Sequence, residues 1–323
     1  MHKEGNSLIS KTKPKKTWKE KLNGMSFRDN LELLLIALPG IVLLFVFNYM
    51  PMFGVVIAFK NFNPNLGIFK SQWNGFENFK FFFTSPDAFR VIRNTVLYAL
   101  DFMFVVLIFS VILALMFYAL TNRIALKTYN TIAILPNFLS MVLIAYIVYA
   151  ILNPASGVLN KLLVSLGAKE TIDWYSKPEA WPFILTIVKV WQSIGMQSII
   201  YYAALMSIDE ALFEAAKIDG ASNLQQIWYI SIPHLKAVMT IQIILAFGHI
   251  FSGDFGLFYQ TTMDVGTLYP TTDIINTYVF RGLKQGHLAV SGAIGLVQSV
   301  LGLIMVVGVN KLVQKISPEN ALF

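Results

Sequence analysis

The sequence predicts an all-α polytopic membrane protein with six transmembrane helices. Three observations carry that. Hydrophobic residues make up 56% of the 323 and charged residues 13%, where a soluble domain carries roughly 25% charged residues. The apolar residues gather into six runs, each near or above the ~20 residues that cross a bilayer core as a helix. Lys and Arg are concentrated ahead of the first run, which fixes an orientation.

In chain order, residues 1–29 read as a basic cytoplasmic tail. Lys11, Lys13, Lys15, Lys16, Lys19, Lys21 and Arg28 precede the first apolar run, a pattern suited to anionic lipid. No folded basic module follows, so nucleic acid is not an expected partner. The first run is too long for the apolar region of a signal peptide, and no small-residue cleavage site follows it. Residues 30–323 then form the transmembrane domain. Its spans are Leu31 to Phe59, interrupted at Pro51; Asn94 to Leu120; Tyr129 to Leu152; Trp181 to Met206; Leu235 to Phe255; and Leu288 to Val313.

Six spans leave both termini on one side. The basic tail, Arg123 with Lys127, Lys217 with Lys236, and Lys311 with Lys315 share that side. The other side has Lys60, Lys70, Lys80 and Arg90 in a long loop, where the charge rule is weak, together with Lys161, Lys169, Lys177, Arg281 and Lys284. The tail decides the matter, with both termini cytoplasmic. The outer loops carry Phe62, Trp73, Phe76, Phe79 to Phe83 and Asp173-Trp174-Tyr175. These residues suit anchoring at the lipid headgroups or docking of an extracytoplasmic partner.

Between spans four and five the chain turns polar. Ser207 and Glu210 have capping-box spacing. A helix from Ile208 to Asp219 is expected, closed by Gly220 in a left-handed cap, with Ile208, Leu212, Ala215 and Ala216 on its apolar face. Ser222 and Gln225 offer a second capping box, and Pro233 is expected to end that second helix. Glu214-Ala215-Ala216, three residues, Gly220, nine residues, then Ile230-Ser231-Ile232-Pro233 resembles the cytoplasmic-loop motif of the integral-membrane permeases of bacterial ABC importers. The one departure is Ile232, where that family has Leu. The resemblance covers roughly residues 94–311 and is strongest in the loop at 207–233.

It implies the type I importer permease fold, with the loop as a coupling helix inserted into a groove of an ATPase subunit. Glu214, Ala215, Ala216, Asp219, Gly220 and Pro233 are the residues it assigns there. It further implies a bacterial inner-membrane location, a second permease forming a heterodimer, a dimeric ATPase chain holding ATP and Mg, and an extracytoplasmic solute-binding protein. The present sequence contains no Gly-x-x-x-x-Gly-Lys-Ser/Thr, so phosphates are not cradled here by that route, and no cofactor is expected on this chain.

Three further segments are similar to the carbohydrate branch related to the maltose permease. They are Leu38-Pro39-Gly40 with Tyr49 to Gly54 and Ala58-Phe59-Lys60; Trp73 to Phe79; and Asp273 to Val279. They imply an oligosaccharide cargo.

Polar side chains inside the spans mark a path, because they are costly against lipid. The candidates are Lys189, Gln192, Gln197 and Tyr201 in span four, His249 and Asp254 in span five, and Gln298 in span six. Residues 189, 193, 196 and 200 are expected to form one line. Amides and aromatic faces suit sugars; the alternative is hydrogen bonding that holds the helix bundle together. Lys189 needs an anion. An acidic uronate saccharide of alginate or pectin type would supply it; so would Asp254 or Asp101, and snorkelling is a third route.

Two other function classes stay open. A secondary transporter or channel, or a permease for another solute, would use the same spans, but the first two leave the Glu214 loop without a purpose. An intramembrane enzyme is disfavoured: His-Glu-x-x-His and Gly-x-Ser-x-Gly are absent, and Phe251-Ser252-Gly253-Asp254 lacks the first Gly of the Gly-x-Gly-Asp pattern. Absence of cysteine excludes disulfide and thiolate chemistry.

Overall fold

The computed structural model describes residues 27–316; residues 1–26, most of the expected basic tail at 1–29, and residues 317–323 lie outside the described residues. The chain divides into two units, Met1–Val55 and Val56–Phe323. In the first, helix α1 (Phe27–Leu44) continues through a π turn, Phe45–Tyr49, into Met50–Met52. Pro51 has no N–H to give the preceding turn. The wide π turn ahead of Pro51 absorbs that loss, so the first span runs from Leu31 to Phe59 without ending at Pro51.

The second unit opens with strands β1 (Lys60–Asn61) and β2 (Gln72–Trp73), paired antiparallel. Asn78 donates to the backbone oxygens of Ala58 and Lys60 at 2.8 and 3.0 Å, and Trp73 stacks on Phe59. After α2 (Glu77–Thr84) comes α3 (Pro86–Ala119). Pro86 at its first turn and Asp87 beside it suit a helix start. The 34 residues of α3 make it about 51 Å long, so it begins well before the span expected at Asn94.

The third apolar run departs from a simple span. It folds as α4 (Arg123–Ile134), a 3-10 turn at Leu135–Phe138, and α5 (Met141–Leu152), with a 99° bend between the pieces. Pro136 stops the first piece. Ser140 restarts the second, its side chain accepting from the Leu143 N–H. Short helix α6 (Val158–Ser165) leads into a loop fastened by buried Asn160, which bonds Asn153, Pro154, Ile172 and the Trp174 indole.

Helix α7 (Trp181–Leu205) matches the expected fourth span and packs along α3 and against α4. Gly195 permits the second contact, since a Cβ there would lie 2.0 Å from the Ala133 carbonyl oxygen. Then follow α8 (Glu210–Ile218), α9 (Asn223–Gln226), a π turn at Ile227–Ser231, and α10 (Ile232–Gly248). After a break, α11 (Phe255–Thr261), α12 (Tyr269–Thr272) and α13 (Ile275–Lys284) fold back before α14 (Leu288–Ile316). Among the described residues five helices can cross a membrane, or six if the bent pair α4–α5 is one span.

The core lies in separate clusters. One gathers Trp181, Leu185, Ile144, Leu257 and Phe258 at the end where α7 begins. Another gathers Tyr201, Leu205, Ile208 and Leu235 at the α8 end. Trp174 and Tyr175 pack into the first cluster: Tyr175 is buried, and its hydroxyl donates to the Thr261 carbonyl at 3.3 Å, while Asp173 stays exposed.

Candidate functional site

A cavity of about 450 Å³ opens between α3, α7, α10 and the break that follows α10. Helix α7 gives it Lys189, Ser193, Gln197 and Tyr201; α10 gives Gln242; the break gives His249, Ser252 and Asp254. The α7 residues are spaced by four, a row that runs obliquely across a helix. The line expected through 196 and 200 is therefore displaced. Met196 and Ile200 are exposed on another face, because the close packing of α7 on α3 sets the cavity wall along the i, i+4 ridge.

Lys189 Nζ lies 2.7 Å from Asp254 Oδ2, and both side chains are about a quarter exposed, 24% and 23%. Of the two internal anions considered for Lys189, Asp254 is the one it meets. Asp101 instead accepts from the Thr186 hydroxyl and lines a separate cavity between α3 and α7. Neither His249 nor Asp254 lies within span five as expected. Helix α10 ends at Gly248, His249 caps it, and Asp254 starts α11, its Oδ1 accepting from the Leu257 N–H at 3.1 Å.

Two expected path residues fall outside the cavity. Gln192 is buried on another face of α7, with its amide nitrogen 3.6 Å from Met141 Sδ and its Oε1 without a partner. It serves the contact with α5. Gln298 on α14 bonds Ser252 Oγ and Asn276 Oδ1, each at 3.3 Å, and so stands behind the wall. The structure adds Tyr98 of α3, whose buried hydroxyl has no partner and whose ring borders the cavity. An aromatic hydroxyl one helical turn before the intramembrane Asp101 was a readable signal in span two.

The loop after α7 is a second distinct feature. Asp209, not Ser207, caps α8, with Oδ1 accepting from the Ala211 N–H at 3.0 Å. Ser207 turns back to the Ala204 carbonyl and to His234 Nε2. Consequently α8 starts at Glu210, two residues later than the expected start. Its far end is as expected. Gly220 has φ +80°, and the Ala221 N–H reaches the Ala216 carbonyl at 2.8 Å while that of Gly220 reaches Lys217, a left-handed Schellman closure. The Ser222–Gln225 capping box is present.

Pro233 does not end a helix. It lies at the start of α10, which grows out of α9 through the π turn, so Asn223–Gly248 is one long segment. The face of α8 that packs inward carries Phe213, its ring 5.8 Å from that of Tyr118, and not Leu212. Leu212 and Ile218 are exposed, as are Glu214, Ala215 and Asp219, and Ala216 is half-buried.

Residues 106–318 match the family described as binding-protein-dependent transport system inner membrane component. The chain belongs to that family. It is a multi-pass inner-membrane permease of the ABC importer type, with no catalytic centre of its own. It is 34% identical over 290 residues to protein LplB of Bacillus subtilis, covering 89% of this chain and 90% of that one. It is 35% identical over 292 residues to the polygalacturonan/rhamnogalacturonan transport system permease protein YteP of Bacillus subtilis, covering 89% of each. The fold matches a permease chain in the crystal structure of a bacterial ABC transporter involved in the import of the acidic polysaccharide alginate. The TM-score is 0.81 at 32% identity, over 90% of this permease and 97% of that chain. A second structure of the alginate transporter, bound to a periplasmic protein holding an alginate pentasaccharide, matches with a TM-score of 0.80.

Proposed function

We propose that this permease is one of two membrane subunits of an ATP-driven importer that takes acidic oligosaccharides, of the alginate or pectin type, from an extracytoplasmic binding protein. The observation that carries the reading is Lys189 in a cavity walled by Gln197, Gln242, Tyr201 and Ser193. Amides, hydroxyls and aromatic faces suit the hydroxyls and ring faces of sugars, and a cation inside the spans suits uronate carboxylates. The alginate transporter and the polygalacturonan/rhamnogalacturonan permease are relatives whose cargo has that chemistry.

The α8 loop supports docking on a separate ATPase. It is a short helix closed at both ends, with Glu214 exposed and Ile218 exposed one turn beyond it, and Leu212 and Ala215 exposed as well. Exposed apolar residues interspersed with the charges of Glu210, Glu214, Lys217 and Asp219 support a docking surface. Ala216, Asp219 and Gly220 shape that end of the peg, and Pro233 sets the start of α10. ATP and Mg²⁺ belong to that ATPase. With the loop in the cytoplasm, both termini are cytoplasmic, and the break after α10 faces outward.

The reading is tested by reconstituting this chain with its second permease, ATPase and binding protein in liposomes. ATP-dependent uptake of tetragalacturonate, exceeding that of a neutral tetrasaccharide, is expected. Equal uptake of both, or uptake that proceeds without ATP, overturns it.

A further inference from the structure

We infer, resting on the acidic-oligosaccharide reading, that Asp254 is a built-in rival to the cargo: Lys189 exchanges the Asp254 carboxylate for that of a uronate, and the exchange bears on helix α11. The pair is 2.7 Å long and open to the cavity. An ammonium between spans is costly without an anion, and Asp254 supplies that anion while the cavity is empty. An entering uronate brings a second carboxylate to a single ammonium. Two carboxylates at ion-pair range repel one another, so Lys189 is shared and its hold on Asp254 loosens.

Two consequences follow from the same geometry. Cargo is attracted but never held against an empty background, because a group of the same chemistry competes from a fixed position close by. That keeps cargo binding weak enough for release. The other oxygen of Asp254 caps α11 through the Leu257 N–H, and Leu257 and Phe258 are packed in the first core cluster. Freeing Asp254 from Lys189 thus removes one of the two contacts of the residue that caps α11, directly after the helix break. A neutral saccharide fits the same walls but displaces nothing.

The test uses the complete reconstituted importer with two probes, tetragalacturonate and its fully methyl-esterified counterpart. Each variant is compared with wild type on the same probe, so the preference of the binding protein cancels. Asp254→Asn keeps the capping oxygen and removes the rival charge. Its KM for tetragalacturonate is expected to fall roughly tenfold, with a slower maximal rate, since one tenfold step corresponds to a single modest charge contact. Lys189→Gln leaves Asp254 unpaired and facing the cargo, and the acid-to-ester uptake ratio is expected to fall by about tenfold or more.

The double variant Lys189→Gln with Asp254→Asn is expected to raise that ratio above the Lys189→Gln value, because the repelling carboxylate is gone. Inserted yield and assembly are measured for every variant. If the single variants lose inserted protein, and the double restores it without changing the ratio, the pair is scaffold and the inference is overturned. If wild type favours the acid while Asp254→Asn leaves KM unchanged, the rival role alone falls. If wild type does not favour the acid, the acidic-cargo reading falls and this inference with it.

Discussion

Glu214 is exposed on α8, with Ile218 exposed one turn beyond it. Paired with a basic group in the groove of an ATPase, it becomes one half of a desolvated contact, and removing it leaves the other half unpaired. Glu214→Ala is expected to insert normally and to weaken ATPase docking by roughly tenfold or more, read as lost substrate-stimulated ATP hydrolysis. Wild-type hydrolysis in that variant would remove the docking role. Gly220 makes a different demand. Its φ of +80° is the cause, since a Cβ there meets nothing within 4 Å of its own chain. A branched residue in that conformation costs about 1–2 kcal/mol, whereas Asn tolerates it better. Gly220→Val should therefore reduce recovery of the ATPase complex in pull-down more than Gly220→Asn does; equal recovery would point to steric exclusion by the partner instead of backbone strain. The spacing from Glu214 to Gly220 made this end of the helix legible. The start was misread because Ser207 and Asp209 are both capping residues, and the shorter reach of Asp209 to the Ala211 N–H won.

Among the elements, α7 was the most legible and the α4–α5 pair the least. An uninterrupted run such as Trp181 to Met206 leaves a helix no competitor, and its observed end lies one residue away. The run from Tyr129 to Leu152 is as apolar, but Pro136 and Ser140 divide it, and hydropathy does not register a cap or a missing N–H. The join between α4 and α7 also depends on a detail that hydropathy cannot show. Gly195 lets the Ala133 carbonyl approach until a Cβ would sit 2.0 Å from it. Neither backbone can yield without parting the helices, so Gly195→Ala is expected to cost about 1–3 kcal/mol, measured as a lower unfolding temperature of the detergent-solubilised complex. Wild-type stability in that variant would mean the contact relaxes freely. A second elemental joint binds α3 to α13. The fully buried Asp273 carboxylate accepts from Arg90 at 3.0 Å, from Thr277 and from Arg281, while Arg281 also pairs with Asp264 and lies over the Tyr269 ring. Removing the shared acid leaves each arginine one remaining anion, Asp87 for Arg90 at 2.8 Å and Asp264 for Arg281 at 2.7 Å. Asp273→Ala should therefore destabilise by about 1–3 kcal/mol, the cost of the buried hydrogen bonds it breaks, and an unchanged stability would show that the remaining pairs suffice.

For the molecule as a whole, the cavity runs from Ser252, beside the break after α10, to Tyr201, one turn from the end of α7 that leads into the α8 loop. Its two ends therefore adjoin different machinery: the folded-back helices α11 to α13 at one end and the proposed motor contact at the other. The sequence made the residues of this path visible as costly polar groups, but not which of them converge. Gln192 and Gln298 satisfy the same rule and serve helix contacts, since polarity inside a span reports only that a partner exists. Alternating access makes a sharper demand than polarity does: the two ends must open in turn. The chain has no cysteine, so a single introduced thiol is the only one it contributes. In the reconstituted importer with otherwise cysteine-free partners, Ser252→Cys should react with an impermeant thiol reagent added outside in one nucleotide state and be protected in the other. Tyr201→Cys should show the opposite pattern with reagent trapped inside. The rates are expected to change by roughly tenfold or more between states, because a small population of the disfavoured conformer still reacts. Thiols at both ends that react together in every state would describe a continuous pore, which conducts without ATP and has no use for a coupling loop at Glu214.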